Sequence, residues 1–365
     1  MKKTIIAAAI ASAVAAPAAF AEVKISGNVI QEFITDNDQT GISEDGLESA
    51  AAVDVVFSVS EDLGNGMSAF AKIHTMMDNG SGSQDNANNV VGIKGDFGTI
   101  VTGRMESMTE AKVDAMAATD SSDKLSIEIN DAYDTKRFEG GLAYTSPSFN
   151  GLTFSIAGFA LPNGGTASVA ATTISAAGLT VRSNGQGSAN AGGDAKVSGA
   201  STTLTTVASS AANNKDADAN FDATEIMVEY ANGPLLVRAS HQVVDKGVYD
   251  VSGAKDQTTT ALAASYKMDN ITLVGTYNDV ENGGGTDAYD VDGYFVGAKI
   301  AAGANTFGLG YLNEDDQDAA GKNKAWMLSV DHALSKRTSL TAAYKDSDDD
   351  GTEVQQTAIG IKHVF

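Results

Sequence analysis

Cysteine is absent from the 365-residue chain, which excludes disulfides, thiolate nucleophiles and thiolate-bound metals. No stretch beyond residue 21 reaches the 18 or more apolar residues of a membrane-crossing helix. Proline is scarce. The three beyond residue 21 (Pro147, Pro162 and Pro234) fall between apolar segments, where they interrupt no β-ladder. Basic residues are outnumbered, 24 Lys and Arg against 47 Asp and Glu, for a net charge of −23. This argues against a nucleic-acid partner, which wants a basic surface, and against adhesion to anionic lipid through side-chain charge. The surplus suits a cation-attracting pore or, equally, solvated loops. The motifs G-x-S-x-G and H-E-x-x-H and the phosphate-binding loop are all missing, so the expectation is no enzyme, no cofactor and no metal site. Asp346-Ser347-Asp348-Asp349-Asp350-Gly351 starts like a calcium loop, but its twelfth position is Thr357 instead of Glu. A loose divalent-ion contact there, bridging lipopolysaccharide phosphates, competes with a plain solvated loop.

What is present begins with an export signal. Lys2 and Lys3 precede an apolar run from Ile5 to Ala16, Pro17 breaks it, and Ala19-Phe20-Ala21 is a small-x-small cleavage site. Residues 1–21 are therefore read as a signal peptide cut between Ala21 and Glu22. The remainder, 22–365, is expected to form one domain.

That remainder repeats one unit: about ten residues alternating apolar and polar or small, ended by Gly, Asn or Asp. In 223–231, Ile226, Val228 and Tyr230 alternate with Glu225, Met227 and Glu229. In 50–60, Val53, Val55, Phe57 and Val59 oppose Ala52, Asp54, Ser58 and Ser60. Sixteen runs are expected: 23–34, 50–60, 67–77, 88–94, 99–104, 136–145, 152–160, 223–231, 235–244, 258–268, 271–280, 289–300, 305–314, 324–333, 338–346 and 354–365. Short turns and long acidic connections alternate between them, the pattern of periplasmic turns and external loops. Tyrosines recur near run ends, where an interfacial girdle would lie. Lipid tolerates no open sheet edge, so the fold class is all-β, a closed transmembrane antiparallel β-barrel of about 16 strands. Sixteen strands enclose water in place of a side-chain core. The Ala/Ser/Thr/Gly/Asn-rich stretch 161–222 reads as one long external loop; pieces such as Val169–Ile174 and Thr203–Val207 could add a hairpin, and a small inserted domain is the alternative.

Five stretches resemble the general, trimeric porins of Gram-negative outer membranes. Val23-Lys24-Ile25-Ser26-Gly27 resembles their first strand. Gly92-Ile93-Lys94-Gly95-Asp96-Phe97-Gly98-Thr99, running on to Gly103-Arg104, resembles the lead into their constriction loop. Lys136-Arg137-Phe138-Glu139-Gly140-Gly141-Leu142-Ala143-Tyr144 resembles the strand after it, and Leu334-Ser335-Lys336-Arg337-Thr338-Ser339-Leu340 a turn. The chain ends in Ile361-Lys362-His363-Val364-Phe365. The resemblance implies a homotrimer and a third external loop folded into the lumen. It also implies that Phe365 helps present the chain to the outer-membrane assembly machinery. The implied function is passive diffusion of ions and small hydrophilic solutes; a structural or adhesive barrel, or a substrate-selective channel, is the alternative. The expected location is the outer membrane, among its lipid and lipopolysaccharide.

Rings of charge and the width of a constriction set a pore's selectivity. The candidate constriction loop, 105–135, carries Glu106, Glu110, Asp114, Asp120 and Asp123. By similarity Arg104 and Arg137 match wall arginines facing such acids. Alternation also puts Arg137 on the lumen face, opposite in phase to Phe138 and Tyr144. Lys24 and Lys72 share the lumen phase. So does Asp54, where some relatives place another arginine, and its charge is expected to raise cation preference.

Overall fold

The computed structural model describes residues 22–38, 47–78, 84–113, 125, 137–160, 180–181, 195–196, 221–249, 253–286, 289–316, 322–349 and 351–365. The signal peptide reading of 1–21 lies outside them, as do most of 105–135 and of 161–222.

Alternating sequence becomes strand because every second residue can meet lipid while its neighbours meet the lumen. The first seven strands are β1 (Glu22–Asp38), β2 (Leu47–Gly64), β3 (Met67–Asp78), β4 (Gln84–Gly95), β5 (Gly98–Glu106), β6 (Arg137–Thr145) and β7 (Leu152–Ala160). A separate compact unit, Pro162–Ala219, holds a two-residue pair, β8 (Thr180–Val181) with β9 (Ala195–Lys196). Next come β10 (Ala223–Asn232), β11 (Leu235–Val244), β12 (Gln257–Met268), β13 (Ile271–Glu281) and β14 (Val291–Ala302). The last four are β15 (Asn305–Asp316), β16 (Lys322–Ala333), β17 (Thr338–Asp349) and β18 (Thr352–Val364).

All but β8 and β9 form one closed antiparallel barrel of sixteen strands. Neighbours in sequence are neighbours in space, β7 pairs with β10, and β18 pairs back onto β1 from Asn28↔Val364 to Asp38↔Val354. Below that register, Gly27 N donates to Phe365 O at 3.1 Å and Phe365 N to Gly27 O at 3.0 Å. Closure leaves no strand edge unpaired in hydrocarbon.

Each of the sixteen expected runs is a barrel strand. Their outer ends differ, because β1 runs on to Asp38, β4 starts at Gln84 and β17 ends at Asp349. Above the lipid both faces meet water, so apolar alternation stops while the hydrogen-bond ladder continues. Tight turns such as Gly64-Asn65-Gly66, with φ of 79°, 53° and 74°, close the other end.

The outward face is apolar; Ile226 is 54% and Ile156 56% exposed. Tyr144 Oη donates to the Phe97 carbonyl near the short turns. A second aromatic group sits higher, with Tyr294 against Tyr311 (centroids 6.3 Å apart) and Trp326 against Tyr344 (5.2 Å).

Candidate functional site in the barrel lumen

Beyond β5 the chain turns to the inner wall. Ser107 and Thr109 are buried, and Ser107 starts the π-turn Thr109–Val113 by accepting from Ala111 N at 3.0 Å. Glu225, the residue before outward-facing Ile226, is buried and points the other way. Its carboxyl accepts from Met108 N, Thr109 N and Thr109 Oγ1, each at 2.7 Å. Thr109 Oγ1 also lies 2.7 Å from Ser240 Oγ. On the neighbouring strand Arg238 donates from Nη1 to Lys112 O (2.7 Å) and pairs through Nε with Glu229 (2.8 Å). The start of 105–135 is thus pinned to β10 and β11, three and four strands around from β5. Leu125 is fully buried with Phe295, Leu312, Met327 and Ile34, inward residues of β14, β15, β16 and β1. Two points of one segment therefore touch separate sectors of the inner wall.

The β1–β6 sector is polar. Asp54 accepts from Asn28 Nδ2 at 2.9 Å and lies 3.3 Å from His74 Nε2. Met76 pairs with Asp54 across β2 and β3. Arg137 Nη2 reaches Met76 Sδ at 3.7 Å and Glu106 Oε1 at 3.1 Å. Lys24 and Lys72 flank Ser58 in one row. Arg104 pairs with Asn89 and is half-buried; a register shift lies beside it, so alternation does not assign its side. Glu110 is half-buried on the π-turn and donates its N–H to Ser107 Oγ at 3.1 Å. Asp114, Asp120, Asp123 and Ala21 lie outside the described residues, whereas Glu22 opens β1 and Phe365 is exposed at the closing seam.

Alternation fails at Phe138. Counted from Tyr144 it should face outward, but it is fully buried and stacks on inward-facing Phe159, centroids 4.0 Å apart. The cause is local. Gly103 pairs with Gly141 but Met105 with Phe138, so two residues of β6 oppose Arg104 alone. The shift turns Phe138 inward beside Met105, in a cluster with Ala157, Ala223 and Val244. Over this cluster packs Tyr249, from the β11–β12 connection. Its hydroxyl donates to Gln257 Oε1 at 2.8 Å, and burial pushes the phenol up to about 12.

Glu225, Arg238, His74 and Leu125 were not singled out from sequence. Glu225 left a signal, since it holds the inward phase of a cleanly alternating run beside a strongly apolar residue. Leu125, one apolar residue in an acidic connection, left none.

The model of the Gram-negative porin family matches residues 7–352. No curated protein matches the sequence. Among solved structures, the anion-selective porin from Comamonas acidovorans is similar with a TM-score of 0.64 at 17% identity, over 94% of this chain and 100% of that one. OmpF of Salmonella typhi, solved with daunomycin, gives 0.65 at 15% identity, over 94% and 97%. A loop-deleted OmpT, an outer membrane protein of Vibrio cholerae, gives 0.63 at 12%, over 94% and 99%.

Proposed function

The chain belongs to the Gram-negative porin family and is an outer-membrane channel, and from that premise we propose passive, cation-preferring diffusion of small hydrophilic solutes past a constriction formed by residues 105–135. One observation carries the reading: the segment after β5 is tied to Glu225 on one sector of the wall, while its Leu125 is buried on another. In this reading the segment crosses the lumen between those two places and narrows it. Its acids Glu106, Glu110, Asp114, Asp120 and Asp123 then bear on the passing ion, with Asp54 on the wall. Arg137, Arg104, Lys24 and Lys72 supply the opposing charge, and Glu106 already engages Arg137. Carboxylates facing a narrow aqueous path raise the local cation concentration.

The functional unit in this reading is a homotrimer. All ten tyrosines and the one tryptophan lie between Tyr133 and Tyr344, so β1–β5 and β18 carry none. The lipid–water interface recruits those residues, so an arc without them faces something else. On that arc Gln31, which shares the outward phase of exposed Val29 and Phe33, bonds Ser49 Oγ at 2.9 Å. Lipid penalises such polar groups and a protein neighbour accommodates them. Phe365 serves as the assembly signal before closure, since its backbone is engaged by Gly27 afterwards. Lipopolysaccharide surrounds the outer rim.

Planar-bilayer recording of refolded protein tests this. Steps in groups of three, with a reversal potential of cation-selective sign in a KCl gradient, are expected. Silence would point to a plugged structural barrel, and an anion-selective potential would refute the charge argument.

A further inference from the structure

Charge in the lumen is sorted along the barrel axis as well as across it. Six lysines stand next to outward-facing apolar residues, which turns their own side chains inward: Lys24 beside Ile25, Lys72 beside Ile73, Lys94 beside Ile93, Lys267 beside Tyr266, Lys299 beside Ile300 and Lys362 beside Ile361. Five of the six sit near the short-turn end, and Lys72 lies midway along its strand. Lys94 and Lys267 are next to last in β4 and β12, and Lys24 and Lys362 are third from an end of β1 and β18. Lys299 is fourth from the end of β14 and Lys72 sixth in β3. None of them pairs with a carboxylate among the described residues. The inward acids at this level are Glu22 beside outward-facing Val23, Glu229, which Arg238 neutralises, Asp331 and Asp62.

Inward acids concentrate at the other end. Glu32 is eleventh in β1, Asp54 eleventh from the end of β2, Glu225 eighth from the end of β10 and Glu314 tenth in β15. The bases at that level are Arg137, paired with Glu106, and Arg104 and Lys345. The long connections beyond carry much of the carboxylate surplus behind the net charge of −23. At about 3.3 Å of rise per residue and a tilt of about 45°, the two levels are roughly 15 Å apart.

We infer that the lumen is a bipolar junction, acidic toward the outside and basic toward the periplasm, and that the channel rectifies ionic current. The inference rests on the channel reading above. Cations are the majority carriers in the acidic zone and anions in the basic zone. A positive potential outside drives both toward the junction, where they accumulate and conductance rises. The opposite potential draws both away and depletes it. Screening sets when this is visible: the Debye length is about 30 Å at 0.01 M salt, longer than the separation of the zones, and about 3 Å at 1 M. The same lysines give anionic solutes that pass the outer acids a favourable zone at the inner mouth.

The test is the current–voltage relation of single channels at 10 mM and 1 M KCl. Insertion side is read from a Ser198→Cys tag, which no native cysteine confounds. At 10 mM, current at 100 mV with the outside positive is expected to exceed the reverse current by about twofold, since surface potentials reach several kT. The relation is expected to be linear at 1 M. A triple variant, Lys94→Glu, Lys267→Glu and Lys299→Glu, is expected to lose the asymmetry while keeping a heat-dependent electrophoretic shift that reports folding. Conducting channels with a linear relation at 10 mM, or asymmetry that survives the triple variant, overturn the inference and leave the channel reading intact. Silent bilayers overturn both.

Discussion

Replacing Glu225 with Ala should release the start of the constriction segment. The carboxyl is buried and accepts three hydrogen bonds of 2.7 Å, two of them from the backbone N–H groups of Met108 and Thr109. A hydrogen bond to a charged group contributes about 1.5–3 kcal/mol, and a buried donor left unpaired costs about 1–3 kcal/mol. These overlap, so about 3–5 kcal/mol is the expected loss, a shift of roughly 100- to 4000-fold in the tethered-to-released equilibrium. Arg238 still holds Lys112 O, so the segment is loosened at one point and not cut free. Single-channel records of Glu225→Ala should therefore show added open-state noise and frequent substates at unchanged barrel integrity. Glu225→Gln keeps one accepting oxygen and should fall between the two. If Glu225→Ala conducts as quietly as the parent and at the same level, the carboxyl does not hold the segment and the reasoning is wrong.

Removing the Arg137 charge with Arg137→Ala frees Glu106 and should move the KCl reversal potential further toward cation selectivity; no movement would take Arg137 out of the permeation path. Phe138→Ala deletes a fully buried, stacked ring and should cost about 3–5 kcal/mol, read as a lower temperature for loss of the folded electrophoretic band. Gly27→Val places a side chain against the Asp54 carbonyl and the Phe365 ring at the seam, and should slow or prevent refolding in detergent, assayed by the yield of folded band. The raised Tyr249 phenol favours the packed loop below pH 10, and that contribution is lost as pH climbs toward about 12. Ultraviolet titration of the Tyr249→Phe variant should therefore lack the last tyrosinate step.

Periodicity carried the barrel because lipid and water impose opposite demands on alternate residues for some ten residues at a time. The same rule explains its limits. Asp36 to Asp38 and Gln84 to Asn86 lie in strands above the lipid, where no contrast marks them. Phe138 was misplaced because a register shift depends on how Gly103 and Gly141 meet across strands, which a single run of sequence does not record. The site was legible where it used strand phase, as at Asp54, whose neighbours Asn28 and His74 nevertheless come from strands read separately. Contacts such as Thr109 to Glu225 join residues 116 apart, and neither end announces the other.

The seam between β1 and β18 has a temporal consequence. The first strand's partner lies at the far end of the barrel sequence, with Asn28 waiting for Val364. Until β18 arrives, β1 and the strand then last in the sheet expose unsatisfied N–H and C=O groups that hydrocarbon will not accept. Insertion is thus withheld from every incomplete chain, and the nascent polypeptide has to cross the periplasm without its final shape. Loss of β18 would remove far more than its own contacts: it would leave a sheet with two raw margins and no membrane in which to lie.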